Sequence, residues 1–104
     1  MKFLIFQLID VSKVADVSKA ADKVWGSPPA GVKALAGYTC QGLAYPGMPS
    51  NTIMSIRVVE AESNEAISGV IYPVAVAGAT VWTIPIMDLP LGGGVAEMEK
   101  KLRS

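Results

Sequence analysis

The feature that most constrains the fold is a stretch without any charged residue, AISGVIYPVAVAGATVWTIPIM, which runs from residue 66 to residue 87. Its length meets the criterion for a membrane-spanning helix, which needs about 20 apolar residues. However, it contains two glycines and two prolines, and no Lys or Arg flanks it closely. Its second half is rich in β-branched and aromatic residues, which favour strands. We therefore predict a helix, a break near Gly78 and a strand inside a folded core.

The composition limits the chain to one domain and excludes several classes of function. A chain of 104 residues is long enough for one core and too short for two. Only 17% of the residues are charged and 51% are hydrophobic, so we expect some apolar surface to be buried against a second copy. Nine basic residues balance nine acidic ones without a basic stripe, which argues against a nucleic-acid partner.

Histidine is absent, and this removes the commonest general base and the commonest metal ligand. We predict neither a metal site nor a cofactor. The single cysteine, Cys40, excludes an intrachain disulfide. The opening run MKFLIFQLI is followed at once by Asp10 and lacks the cleavage pattern of a signal peptide. We therefore predict a cytoplasmic protein without a membrane partner.

Apolar periodicity predicts six regular elements before residue 88. The strands are expected over 2–9, 32–45, 52–60 and 79–87, and the helices over 11–25 and from residue 64 onward. Asp10 and Ser63 precede the two helices and can cap them through side-chain oxygens. Pro73 predicts that the second helix kinks or ends near Tyr72.

The order strand, helix, strand, strand, helix, strand is the ferredoxin-like βαββαβ pattern. It predicts an α+β domain with a four-stranded antiparallel sheet and two helices on one face. The other face is left uncovered, and in so apolar a chain it calls for a partner subunit. We assign this domain to residues 1–88, and residues 89–104 to a Gly-rich joint and a short C-terminal helix or arm.

Three segments resemble a known superfamily: PPAGVKALAGY (28–38), VVEAESNEAI (58–67) and WTIPIMD (82–88). On these segments the chain resembles the dimeric α/β-barrel superfamily, and within it a small prokaryotic family of unknown function. The resemblance implies a homodimer whose two sheets pack face to face around a cavity. The superfamily includes cofactor-independent monooxygenases, isomerases and ligand-sensing domains, so the resemblance selects no chemistry. It also carries no catalytic residue over to this chain.

If two sheets enclose a cavity, the face opposite the helices lines it. Three alternating sets of strand residues contain a polar group, and we assign these sets to the cavity face: Phe3, Ile5, Gln7, Ile9; Ile53, Ser55, Arg57, Val59; and Val81, Thr83, Pro85, Met87. The opposite sets are purely apolar, and we predict them beneath the helices: Leu4, Phe6, Leu8 and Met54, Ile56, Val58. The candidate ligand-binding residues are therefore Gln7, Ser55, Arg57 and Thr83.

Arg57 has two interpretations, since it can pair with a group of the other subunit or bind a ligand. Our leading hypothesis is a homodimer that binds a small, largely apolar ligand, anionic if Arg57 takes part, in the intersubunit cavity. The second is a cofactor-independent enzyme of the monooxygenase or isomerase type that uses the same cavity. The third is a structural or interaction module without a ligand. The sequence identifies no reaction.

Overall fold

The chain forms four strands and three α-helices, and the computed structural model describes all residues from 1 to 104. The strands are β1 (Lys2–Asp10), β2 (Val32–Thr39), β3 (Thr52–Ala61) and β4 (Thr80–Ile86). The helices are α1 (Val14–Gly26), α2 (Asn64–Ala77) and α3 (Val95–Arg103), with one turn of 3₁₀ helix (Val11–Lys13) before α1. The antiparallel sheet has the order β2-β3-β1-β4, which is compatible with a ferredoxin-like α+β fold. No helix combines the length and the hydropathy that a membrane crossing requires.

Both predicted helix caps are present. The Asp10 carboxylate accepts hydrogen bonds from the N–H of Ser12 at 2.9 Å and from its hydroxyl at 2.6 Å. The Ser63 hydroxyl oxygen accepts the N–H of Ala66 at 3.2 Å. Each side chain thereby satisfies a backbone donor that the helix itself leaves without an acceptor. These contacts fix the points at which β1 and β3 give way to helical structure.

Of the two outcomes predicted for Pro73, a kink or an end of the helix near Tyr72, the second does not occur. Pro73 lies inside α2, which continues to Ala77 and is closed by Gly78. A proline inside a helix removes one hydrogen bond and crowds the preceding turn. Beyond it, Val74 is buried in a cluster with Ile9 and other apolar residues. We attribute the extra turn to this burial, which favours continuing the helix over ending it at Tyr72.

β2 is shorter than predicted, because it ends at Thr39 rather than near residue 45. The connection 40–51 contains two glycines at positive φ, Gly42 (76°) and Gly47 (85°), which bend the chain away from the sheet. The pairing of β2 with β3 shifts register at Leu35, between the paired residues Ala34 and Ala36. Gly37 instead stays in register opposite Arg57.

The two sheet faces are the reverse of the prediction. Helices α1 and α2 cover the face of Phe3, Ile5 and Val59, which pack with Val24 and Ile67 in one core cluster. The registers place all four candidate site residues on this helix-covered face: Gln7, Ser55, Arg57 and Thr83. The residues predicted beneath the helices lie instead on the opposite face: Leu4, Phe6, Leu8, Met54, Ile56 and Val58. The rule of placing the purely apolar set inside is wrong here because both faces of this sheet are mainly apolar, so alternation does not distinguish them.

Candidate functional site

A cleft of about 290 Å³ lies between α1 and the helix-covered face of the sheet, and we call it the α1 cleft. Its polar lining residues are Gln7, Ser18, Thr39, Ser55 and Arg57. Its apolar lining residues are Ile9, Val14, Val17, Ala21 and Ile53. Small-molecule sites are usually apolar hollows of about 300–1,000 Å³ with a few convergent polar groups, so the α1 cleft has the composition of a small site.

Strand register explains why three of the predicted residues meet in this cleft. Gln7 on β1 is the direct partner of Ser55 on β3, and Arg57 lies two residues further along β3. Thr39 on β2 is in turn the partner of Ser55. In an antiparallel sheet, direct and diagonal partners on one face lie within reach of each other's side chains. Polar side chains from the three strands therefore lie close together in the α1 cleft.

Gln7 is the most informative of these residues. It is 4% exposed, and it is the one polar residue in the buried part of the chain. Its side chain lines the α1 cleft and makes no hydrogen bond with another protein group. The buried side-chain nitrogen that lacks an acceptor is Nε1 of Trp25, whereas the amide of Gln7 opens into the cleft, where water or a ligand can form hydrogen bonds with it. The Gln7 amide is therefore free to bind a group inside the cleft.

Arg57 brings a positive charge to the same cleft. No acidic side chain lies within ion-pair distance of its guanidinium group, whose central carbon lies 4.7 Å from the centre of the Trp25 ring. Burial lowers the pKa of Arg57, and attraction to Asp22 opposes this shift. The side chain nevertheless remains cationic near neutral pH, because arginine does not deprotonate in proteins. The cleft thus contains a half-buried cation that feels the charge of Asp22 but forms no ion pair with an acidic side chain.

Thr83 does not belong to this arrangement. Thr83 lies on β4, where it pairs with Ile5 of β1, and it does not line the cleft. Its predicted role in ligand binding stays a prediction, as do those of the three residues that the cleft unites.

Sequence reasoning missed the contribution of α1. Ser18 lines the cleft, and Trp25 stacks against Arg57. Ser18 and Trp25 lie four and eleven residues after Val14, so helical spacing already places them on the same side of α1 as its apolar residues. The signal was lost because the polar strand residues were assigned to the opposite face of the sheet.

Other hollows on the surface are weaker candidates. Four of them have volumes between about 160 and 600 Å³, and the largest lies between α3 and the segment 88–90. Gln7, the buried polar side chain, lines only the α1 cleft. The largest hollow depends on α3, none of whose residues is buried. We therefore select the α1 cleft as the candidate functional site.

The sheet face opposite the helices forms a second surface of interest, which we call the uncovered face. It comprises Leu4, Phe6, Leu8, Tyr38, Ile56, Val58, Trp82 and Ile84, whereas Met54 lies on the same side of the sheet but is buried. Phe6 and Trp82 stack with their ring centres 5.3 Å apart, and Ile84 and Tyr38 are 44% and 63% exposed. A contiguous apolar surface of this kind is unusual on a protein that works alone.

Comparisons with known proteins add little to this geometry. No protein family matches the chain, and no curated protein matches it. Among solved structures, it is similar to a Bacillus cereus protein related to NIF3, with 13% identity and a TM-score of 0.39. The match covers 84% of this chain and 26% of that one. A similarity of this size carries no inference about family or function, so the functional conclusion rests on the two surfaces described above.

Proposed function

We propose that this protein binds a small, largely apolar ligand in the α1 cleft. The observation that carries the proposal is the Gln7 side chain, which is almost completely buried, lines the cleft and has no partner in the protein. Because no protein group takes up the donors and the acceptor of this amide, they are available to a molecule that enters the cleft. Ser55 and Arg57 add further polar groups to the same cleft wall.

The replacement Gln7→Met tests this proposal through stability. Met keeps the length of the side chain and removes the amide, so the free energy of unfolding should stay the same or rise, because no hydrogen bond within the protein is lost. The same variant should lose binding of the small molecules that wild-type protein retains in an NMR screen of mixed acids, amides and alcohols. A lower stability of Gln7→Met would show that the amide is a structural group and would contradict the proposal.

A matched control comes from the edge strand β4. Thr83→Val removes a polar group on the same sheet face but outside the cleft. It should leave every ligand affinity unchanged. Equal effects of Thr83→Val and Gln7→Met on binding would mean that the α1 cleft is not the site.

A second proposal concerns the uncovered face. We propose that two copies pair through it, as in the dimeric α/β-barrel superfamily, and that a cavity left between the sheets would be apolar. The support is the apolar surface itself, on which Ile84 is 44% exposed and Phe6 stacks on Trp82 of the edge strand β4. Burying apolar surface is the main favourable term in association.

Sedimentation velocity over a wide range of protein concentration tests the pairing. Ile84→Lys should shift the equilibrium toward the monomer, because it places a charge in the proposed interface. Val76→Lys is the control, since Val76 is 76% exposed on α2, away from the uncovered face. A wild-type protein that stays monomeric at every concentration, or equal effects of both variants, would refute the pairing.

A further inference from the structure

We infer that the ligand of the α1 cleft is a small monocarboxylate, whose charged end binds Arg57 and Gln7 and whose apolar end lies against α1. The inference rests on the proposed ligand-binding function and names the class of molecule.

Arg57 calls for an anion with a planar group. Its guanidinium is half-buried, and no acid of the chain lies within ion-pair distance of it. Its central carbon lies over the Trp25 ring, 4.7 Å from the ring centre, in a cation–π contact that leaves the N–H donors at the edges of the guanidinium group available. These edges match the two oxygens of a carboxylate in a bidentate geometry. An ionised carboxylate would also add to the attraction by Asp22 in offsetting the burial of this charge.

Gln7 is placed to share the same carboxylate. It is the partner of Ser55 across β1 and β3, so it is a diagonal neighbour of Arg57. Diagonal neighbours on one sheet face are about 7–8 Å apart at the backbone, a gap that a carboxylate held between two long side chains can bridge. The amide N–H₂ of Gln7 donates to a carboxylate oxygen, which gives the amide a hydrogen-bond partner that the protein does not supply.

The rest of the cleft limits the size and the charge of the ligand. Its volume of about 290 Å³ suits a short aliphatic acid or an acid with one ring. Val14, Val17 and Ala21 of α1 offer apolar contacts for that part of the molecule. Arg57 is the only charged residue in the lining, and the negative charge of Asp22 lies close enough to act on it. A second negative charge on the ligand would therefore find no cation and would be repelled.

The test is an NMR titration of the isotope-labelled protein with butyrate and benzoate, and with their neutral analogues butyramide and benzamide. Sodium chloride is added to the amide samples in the amount of the sodium salts in the carboxylate samples, so that the ionic strength of all samples is the same. Both carboxylates should give saturable shifts at the Gln7 side-chain N–H₂ and the Arg57 Nε–H. Both amides should bind about tenfold more weakly or worse, a difference of about 1.4 kcal/mol.

Three variants locate the interaction. Arg57→Met keeps a long side chain against Trp25 and removes the charge, so it should abolish the preference for carboxylates over amides. Asp22→Asn should tighten carboxylate binding a few-fold, because it removes a negative charge near Arg57. Arg103→Met is the matched control, since Arg103 is the only other arginine and lies on α3. It should leave both affinities unchanged, and the spectrum of each variant reports whether it is folded.

The outcomes separate the ligand class from the ligand-binding function. Amides that bind as tightly as carboxylates, or an Arg57→Met variant that keeps its preference for carboxylates, would overturn the carboxylate class and leave the function standing. Shifts that spread over the surface and respond equally to Arg103→Met would indicate adventitious anion binding and overturn the class. If neither acids nor amides shift Gln7 or Arg57, then both the class and the function are wrong.

Discussion

Two identical substitutions on β1 test the assignment of the two sheet faces. Phe3 and Phe6 lie on the same strand three residues apart, so their side chains point to opposite faces. Phe3 is 1% exposed within the core cluster that includes Val59 and Ile67. Phe6 is half-buried on the uncovered face, where it stacks on Trp82. Alanine at each position therefore removes the same ring from two different environments.

The expected cost of Phe3→Ala follows from the burial of its ring. An aromatic side chain buries about 150–250 Å², which at about 25 cal/mol per Å² corresponds to about 4–6 kcal/mol for full burial. The methyl group that remains and partial collapse of the core reduce the loss to about 3–5 kcal/mol. Since a domain of this kind has about 5–15 kcal/mol of stability, Phe3→Ala should leave it marginally folded. A loss of about 3 kcal/mol lowers the thermal midpoint by roughly 12–24 °C.

Phe6→Ala should cost less. Water can enter the space that the ring leaves, so no enclosed cavity forms, and the loss is limited to the ring stacking of about 0.5–1.5 kcal/mol and part of the buried area. Urea unfolding at low protein concentration, followed by circular dichroism, measures both variants as monomers. Equal losses, or a larger loss for Phe6→Ala, would mean that the helices cover the other face of the sheet.

Two further predictions concern local structure and pH. Gly78→Ala should destabilise the fold by about 1–2 kcal/mol, because Gly78 has φ of 123° and an added Cβ would lie 3.1 Å from the Lys13 side chain. At Gly26 an added Cβ has no atom within 4 Å, so Gly26→Ala should be neutral or stabilising. Chemical denaturation compares the two variants, and a larger loss of stability for Gly26→Ala would refute this account. The hydroxyl and the N–H of Ser12 lower the pKa of Asp10, so the ionised carboxyl group favours the folded state. This contribution to stability is present above the ordinary carboxyl pKa and is lost as pH falls through the lowered pKa. Asp10→Asn should therefore make the urea midpoint fall less steeply with decreasing pH. A variant with the same pH dependence as the wild type would contradict this prediction.

The order of the elements and their ends are readable from the sequence because they depend on neighbours along the chain. Asp10 and Ser63 accept hydrogen bonds from N–H groups two and three residues ahead, so the caps are local. The alternation of strands and helices follows from apolar spacing within single segments. The ferredoxin-like sheet order was then expected from that succession. Pro73 shows the limit of local reasoning, since burial of Val74 carries α2 past a residue that usually ends a helix.

The side of the sheet that receives the helices was decided only by the tertiary structure. Leu4 and Ile5 are equally apolar, and Gln7, the polar residue in the middle of β1, lies on the face packed on α1 rather than on the uncovered one. That choice depends on how the connection after Asp10 turns α1 onto the sheet, which is a property of three-dimensional packing. Alternation along β1 and β3 was enough to predict from the sequence that Gln7 and Arg57 share a face. Only the tertiary structure showed that this face meets α1, because burial between distant segments sets it.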